Sequence, residues 1–433
     1  MSRLTLFWFR RDLRVQDNVG FYHALKNAEQ VLPIFIFDTA IIDKLPQQDA
    51  RIEFILKALG DINDAMKRNR CTVGMYRGEP KAIITQLLDN YPIDRVVTNH
   101  DYEPYAQERD AAIEALLAEK GIAFETYKDQ VIFEKAEVTK DDGSPYVVYT
   151  PYSKKWLARF QDHTPQQLPS EELLHKCIQT ELPQLSLKAL GFQPSGIQAP
   201  GDSVSNARID AYEETRNFPA LDETSRLGVH LRFGTISIRK LVEQAAVRSN
   251  PTYLKELIWR EFFMQILWHF PHTASKSFKP AYDRILWRNN EEEFQRWCEG
   301  NTGYPLVDAG MRELNQTGYM HNRVRMLVGS FLCKHLLIDW RWGEAYFAQK
   351  LLDYEMSSNV GNWQWVAGCG VDAAPYFRIF NPTSQVTKFD KELKYIKKWV
   401  PNHQELDYPQ PIVEHKMARE RCLTTYKSAL NPQ

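Results

Sequence analysis

No stretch of this chain approaches the ~20 consecutive apolar residues that span a bilayer. Met1-Ser2-Arg3 runs straight into an apolar strand rather than a secretory leader. Both absences point to a cytoplasmic protein with no membrane partner. Cysteine is sparse and dispersed. Cys71, Cys177, Cys298, Cys333, Cys369 and Cys422 include no CxxC and no Cys/His pair at metal-ligand spacing, so reduced structural thiols are expected and no metal site is indicated. Charge of one sign is missing too. A net charge of −1 argues against a nucleic-acid coat. The slight excess of base lies in residues 201–433 and of acid in residues 1–200, so any DNA-binding face must be a local patch. Internal repeats and low-complexity segments are absent. No GxGxxG follows the first apolar strand, where Phe9-Arg10-Arg11-Asp12-Leu13-Arg14 stands instead, and a standard dinucleotide turn is therefore unsupported.

What the chain does contain is ample core material: 43% hydrophobic and 12% aromatic residues in 433, enough for two or three domains. Near the N-terminus Leu4–Phe9, Val31–Phe37, Thr72–Tyr76 and Arg95–Thr98 read as buried parallel strands, with helices such as Arg51–Lys67 and Ala106–Glu119 between them. That pattern predicts a doubly wound α/β domain over residues 1–127, with room for a chromophore at the carboxyl ends of the strands. Residues 128–205, rich in Pro, Gln and Thr, read as an interdomain linker. From 206 to 433 the periodicity is helical throughout, so the fold class expected is α/β plus all-α. Nine of the eleven tryptophans fall between Trp259 and Trp399, in the helical part.

Four constellations in that part carry chemistry. Asp353 to Trp365 joins acids, an amide and two indoles. In a helix Asn359 and Trp363 share a face while Trp365 turns away, so the two rings would serve different surfaces. Glu256, Trp259 and Phe263 share another helix face, placing one carboxylate among aromatics. Asn322, Arg325, Met326, Gly329 and Cys333 form a third, which on spacing alone is equally a satisfied polar network between helices. Thr224-Ser225-Arg226-Leu227-Gly228 offers hydroxyls and N–H groups before a helical segment at Arg232–Gln244, suited to a pyrophosphate but also an ordinary N-cap pattern.

Tyr212-Glu213-Glu214-Thr215-Arg216, Thr224–Gly228, Glu256-Leu257-Ile258-Trp259-Arg260-Glu261-Phe262, Thr302-Gly303-Tyr304-Pro305-Leu306-Val307-Asp308-Ala309, Met320-His321-Asn322-Arg323-Val324-Arg325-Met326 and the 353–382 segment follow one another in order. Together they resemble the cryptochrome/photolyase family over almost the whole chain, most nearly its bacterial class I cyclobutane pyrimidine dimer photolyases. The resemblance implies light-driven repair of UV-damaged DNA by electron transfer from excited reduced FAD, carried out by a monomer without an obligate protein partner. It places flavin contacts at Tyr212, Thr224, Ser225, Arg226, Leu227, Gly228, Glu256, Asn322, Arg325, Asp353, Glu355 and Asn359. Of these, Arg325 pairs with Asp353 beside the isoalloxazine, and Asn359 lies opposite flavin N5. Lesion and DNA contacts are implied at Arg216, Trp259, Arg323, Met326, Trp365 and Arg378, with Glu256 hydrogen-bonding the damaged pyrimidines. Trp287, Trp340 and Trp363 match the family's electron path from the surface to the flavin.

Histidines mark (6-4) photolyases at the positions of Asn322 and Met326, so their absence implies cyclobutane dimers as the substrate. A cryptochrome photoreceptor is the chief alternative. Asn359, Trp259 and Met326 speak against it, as does the short run to Gln433. An electron-transfer flavoprotein that does not bind DNA is the other. Two departures stand out: Glu355 replaces the family's usual Asp, and Tyr105-Ala106 replaces the Asn-Glu pair of folate-binding members. A folate antenna is thereby disfavoured, while Asp101 and Arg51 leave deazaflavin, FMN or an empty second site open.

Overall fold

The computed structural model describes residues 3–431. Five strands, β1 (Leu4–Phe9), β2 (Gln30–Asp38), β3 (Gly74–Gly78), β4 (Ile93–Asn99) and β5 (Ala123–Tyr127), pair in parallel in the order β3-β2-β1-β4-β5. The order reverses beside β1, as in doubly wound sheets. Every residue of β1 is buried, and its register against β2 sets Trp8 beside Ile34. Such continuous apolar strands need cover on both faces, which helices such as Val19–Asn27, Ala50–Met66, Pro80–Asn90 and Pro104–Glu119 supply. The strand β5, absent from the expectation, is an edge strand whose residues are all partly or fully exposed, so its sequence lacks the buried apolar run that marks the others.

By backbone contacts the chain divides into two units. One comprises residues 1–137, 157–202 and 227–247, the other 138–156, 203–226 and 248–433. The stretch expected as a separate linker is thus shared between them, and it contains a helix, Tyr149–Asp162. The inclusion of 227–247 with the sheet has an electrostatic cause. Arg239 donates to Asp17 and Asp129, both at 2.8 Å, and Arg14 donates to the same Asp129 at 2.8 Å. All four are buried. Burial alone would raise the Asp129 pKa, but Arg14 and Arg239 outweigh it and hold the carboxyl below its usual range. Breaking such a pair would strand an uncompensated charge. The helix expected over Arg232–Gln244 is in fact two, Gly228–Phe233 and Ile238–Ala246. Gly234 separates them at φ 64°, where a Cβ would lie 2.2 Å from the Arg11 carbonyl oxygen.

In the second unit a large core gathers Trp297, Phe331, Trp340, Phe347 and Trp363 with aliphatic side chains from the helices Pro305–Thr317, Asn322–Ser330, Trp340–Lys350 and Met356–Ala367. Among the described residues no helix is long and apolar enough to cross a membrane.

Candidate active site

A cavity of about 100 Å³ opens in the second unit between the helices 322–330, 340–350 and 356–367. Phe347, Leu351, Trp363 and Val366 give it apolar walls, and Asn322, Arg325, Asp353, Glu355, Ser358, Asn359 and Asn362 give it polar ones. Met326, Gly329 and Trp365 complete the lining. The helical face expected from the sequence is therefore present for Asn322, Arg325, Met326 and Gly329. Cys333 leaves it and is fully buried, because the helix changes to a π turn at Phe331–His335 that breaks the 3.6-residue register. Trp363 and Trp365 were expected to serve different surfaces, yet both border this cavity, which wraps around the helix from Ser358 to Val366.

Charged and polar groups in the cavity are tied down. Arg325 donates to both oxygens of Asp353, at 3.2 and 2.9 Å, and to the Met320 carbonyl at 2.6 Å. Burial would lower the guanidinium's pKa, but Asp353 overrides it and raises it further, so the cation is fixed. Glu355 is buried at the head of the helix Met356–Ala367, with Arg260 3.8 Å away. Asn359 donates from Nδ2 to the Glu344 carbonyl at 3.1 Å and to its carboxylate at 2.9 Å. With the amide nitrogen so engaged, Oδ1 is the acceptor that Asn359 has left to offer. Glu344 itself was invisible to the sequence reading. Burial pushes its carboxyl up, against the pull of Asn359 and Tyr354.

A second group forms along the helix Thr252–His269. Glu256 is in an ion pair with Arg216, and the Arg216 guanidinium lies 5.4 Å from the Tyr212 ring. Trp259 stacks on Tyr149, ring centroids 3.7 Å apart and 6° from parallel, and lies 5.5 Å from Phe263. Arg323 donates to Asn217, sits 4.4 Å from the Phe389 ring and meets the Met326 sulfur at 3.8 Å. Burial and then the neighbouring Arg216 lower the pKa of Arg323, so two guanidiniums stand close enough to repel.

The remaining expected residues lie outside the cavity lining. Thr224 hydrogen-bonds the Tyr319 hydroxyl at 2.9 Å, and Ser225 accepts from Tyr253 at 3.0 Å. Arg226, at φ 53°, pairs with Asp222 and covers the Tyr319 ring. Leu227 and Gly228 belong to the first unit, where Gly228 begins a helix of six residues, shorter than the segment expected after the motif. Trp340 is buried in the same large core as Trp363, with no partner for its Nε1 among the described residues, and Trp287 packs against that core next to Tyr426. Arg378 lies at the surface.

Sequence comparison places this geometry among known proteins. Residues 253–407 match the FAD binding domain of DNA photolyase, and residues 5–170 match the DNA photolyase domain. The chain is 34% identical to the deoxyribodipyrimidine photo-lyase of Agrobacterium fabrum, covering 97% of both proteins. It belongs to the photolyase/cryptochrome family. The Escherichia coli photo-lyase is similar at 34% identity, with 98% of each protein covered. A bacterial class III photolyase structure from Agrobacterium tumefaciens superposes with a TM-score of 0.89 at 33% identity, over 99% of this chain and 98% of that one. An archaeal photolyase from Sulfolobus tokodaii, solved with two FAD molecules, superposes with a TM-score of 0.85 at 32% identity, over 98% of this chain and 100% of that one.

The side chains lining the cavity of this photolyase relative suit a flavin ring. A planar, mostly apolar ring with polar edges needs flat apolar walls and fixed donors and acceptors at its rim. Trp363, Phe347 and Val366 offer the first, and the Arg325–Asp353 pair and Asn359 the second. Cofactor released by acid from the purified protein is expected to run as FAD on chromatography. Recovery of FMN alone, or of no flavin from folded protein, would contradict the fit.

Proposed function

We propose that this protein is an FAD-dependent photolyase that uses light to split cyclobutane pyrimidine dimers in DNA. The cavity carries the reading, since Asn322, Arg325, Met326, Asp353, Asn359 and two indoles line one space. When bound and reduced, FAD supplies the light-excited electron that opens the cyclobutane ring. The chain's residues do the rest. The fixed Arg325–Asp353 pair would hold the polar edge of the ring, and Asn359, its nitrogen held by Glu344, would offer Oδ1 to it. Asn322 and Glu355 complete the polar rim. Thr224, Ser225 and Arg226, with Tyr212, are assigned to the diphosphate side. Met326, Trp259 and Trp365 wall the flipped dinucleotide, a role in which aromatic stacking is worth about 1–3 kcal/mol per base. Glu256 holds the pyrimidine edge.

Arg216, Arg323 and Arg378 are assigned to the phosphates that flank the lesion. The mutual repulsion of Arg216 and Arg323 supports this, because an anion between them relieves it. For the antenna, a flavin-type chromophore is favoured over folate. Tyr105, in place of the Asn of folate-binding members, commits its hydroxyl to Asp38 at 2.6 Å. Arg51 and Asp101 are engaged with Asp49 and Arg11, so an antenna there binds among preformed ion pairs.

Under blue light the protein is expected to restore thymine cyclobutane dimers in a defined oligonucleotide and to leave (6-4) products intact, because neither Asn322 nor Met326 can supply an imidazole proton. Repair of (6-4) products instead would refute the substrate. Binding of dimer-containing DNA without any light-dependent repair would favour a photoreceptor.

A further inference from the structure

The helix that begins at Asn322 ends in the π turn Phe331–His335, a register insertion found disproportionately at functional sites. Here it buries Lys334, which is 1% exposed. The ammonium ends among Cys333, Cys369 and Cys422. Burial pushes all three thiols up, those of Cys369 and Cys422 to about 12, so at neutral pH they offer no counter-charge. Burial likewise pulls Lys334 down to about 8, helped by the positive charge of Arg378. An ammonium held without an anion is costly. What it has is a backbone oxygen: Nζ donates to the Arg378 carbonyl at 2.8 Å.

That carbonyl belongs to a segment with no regular structure, residues 373–381. Besides Lys334, the segment is held by a turn from the Arg378 N–H to the Pro375 carbonyl, 2.9 Å, by Tyr376 stacked on Tyr426 at 5.6 Å, and at its ends by buried Ala374, by Ile379 and Phe380 packed against core side chains, and by the Asn381 cap. Phe377, at 61%, and Arg378 are exposed. A buried cation thus grips the loop from below while its ring and guanidinium face outward.

We propose that Lys334 is a positioning residue for DNA recognition, clamping the Arg378 carbonyl so that the 373–381 loop presents Arg378 to a DNA phosphate in a fixed shape. The inference rests on the reading of Arg378 as a phosphate contact. Its physical content is preorganisation: a loop ordered before binding loses less conformational entropy on binding.

Lys334→Met keeps the length and apolar stem of the side chain and removes both charge and donor. The holoprotein variant is expected to keep its flavin and its repair yield per bound dimer. Amide hydrogen exchange across residues 376–380 should quicken about tenfold or more, and affinity for a dimer-containing oligonucleotide should fall about tenfold. In a double-mutant cycle, Arg378→Ala should cost much less affinity in the Lys334→Met background than in the wild type. Unchanged exchange at 376–380 overturns the clamp whatever Arg378 does. Quickened exchange combined with an Arg378→Ala variant that binds DNA like the wild type overturns the phosphate reading instead, and Lys334 loses its part in recognition. Additive effects in the cycle also overturn the proposal. Should Lys334→Met not fold, Lys334→Gln carries the same readouts with a smaller expected change.

Discussion

Trp363→Phe is expected to slow light-driven reduction of the oxidised flavin about a hundredfold or more, while repair by flavin reduced chemically beforehand stays near the wild-type yield. Trp363 is the one member of the assigned electron path that borders the cavity, and it is only 3% exposed. It shares its helix face with Asn359, so the assigned path reaches the cavity at its ring. Phenylalanine keeps an aromatic wall but is much harder to oxidise, and a barrier raised by about 2.7 kcal/mol is already a hundredfold in rate. Packing is the competing explanation. A Cβ on Gly343 would lie 2.2 Å from the indole, which shows how closely that helix approaches the ring. A smaller ring here costs on the order of 1–3 kcal/mol of stability, and unchanged flavin content and dimer affinity would separate that loss from electron transfer. Trp297 offers a sharper control, since its ring meets Trp363, at 6.2 Å between centroids, yet it is not on the assigned path. Trp297→Phe should leave photoreduction intact, whereas Trp340→Phe should not. Wild-type photoreduction in Trp363→Phe would refute the path.

The residues that were legible from sequence share one property: they act with neighbours on their own helix. Asn322, Arg325, Met326 and Gly329 line one cavity because α-helical spacing puts them on one face. Glu256, Trp259 and Phe263 were grouped by the same rule, and the 5.5 Å approach of Trp259 to Phe263 follows it. Periodicity says nothing about partners far along the chain. Glu344 holds Asn359, Tyr149 backs Trp259 and Asn217 meets Arg323, and none of these pairs has a spacing that advertises it. The π turn erred in the other direction, since it removed Cys333 from a face that the sequence placed it on. At the level of the fold the same contrast holds. Strand β1 was read to the residue because all six positions are buried, whereas β5 had no apolar run to betray it. The helix Tyr149–Asp162 was read as linker because of the Pro, Gln and Thr around it, although Tyr149, Tyr152, Trp156 and Phe160 repeat at helical spacing and are all buried, and Pro151 falls in the first turn, where proline is tolerated.

Glu256→Ala is expected to lower the repair yield per bound dimer about ten- to a hundredfold, the equivalent of roughly 1.5–3 kcal/mol for one charge-assisted hydrogen bond lost at the reacting base. Affinity for dimer-containing DNA should change far less. Backbone neutralisation supplies most of the binding in such complexes, and the Arg216 that Glu256 now engages becomes free to take a phosphate. That ion pair is partly exposed, with side-chain accessibilities of 26% and 33%, so breaking it costs no more than about 1 kcal/mol. The salt dependence should sharpen rather than weaken, because an unpaired Arg216 beside Arg323 concentrates positive charge where the phosphate is assigned. Glu256→Gln tests the division further, since an amide can still bond the pyrimidine edge while releasing Arg216. It should recover much of the repair yield with the same salt slope as the alanine variant. Dissociation constants measured across a range of salt, with single-flash yields on saturated protein, separate these effects. If Glu256→Ala binds dimers far more weakly yet repairs every bound one at the wild-type yield, Glu256 serves binding alone, and the contact that assists repair belongs to another group, of which Asn322 in the cavity wall is the first to test.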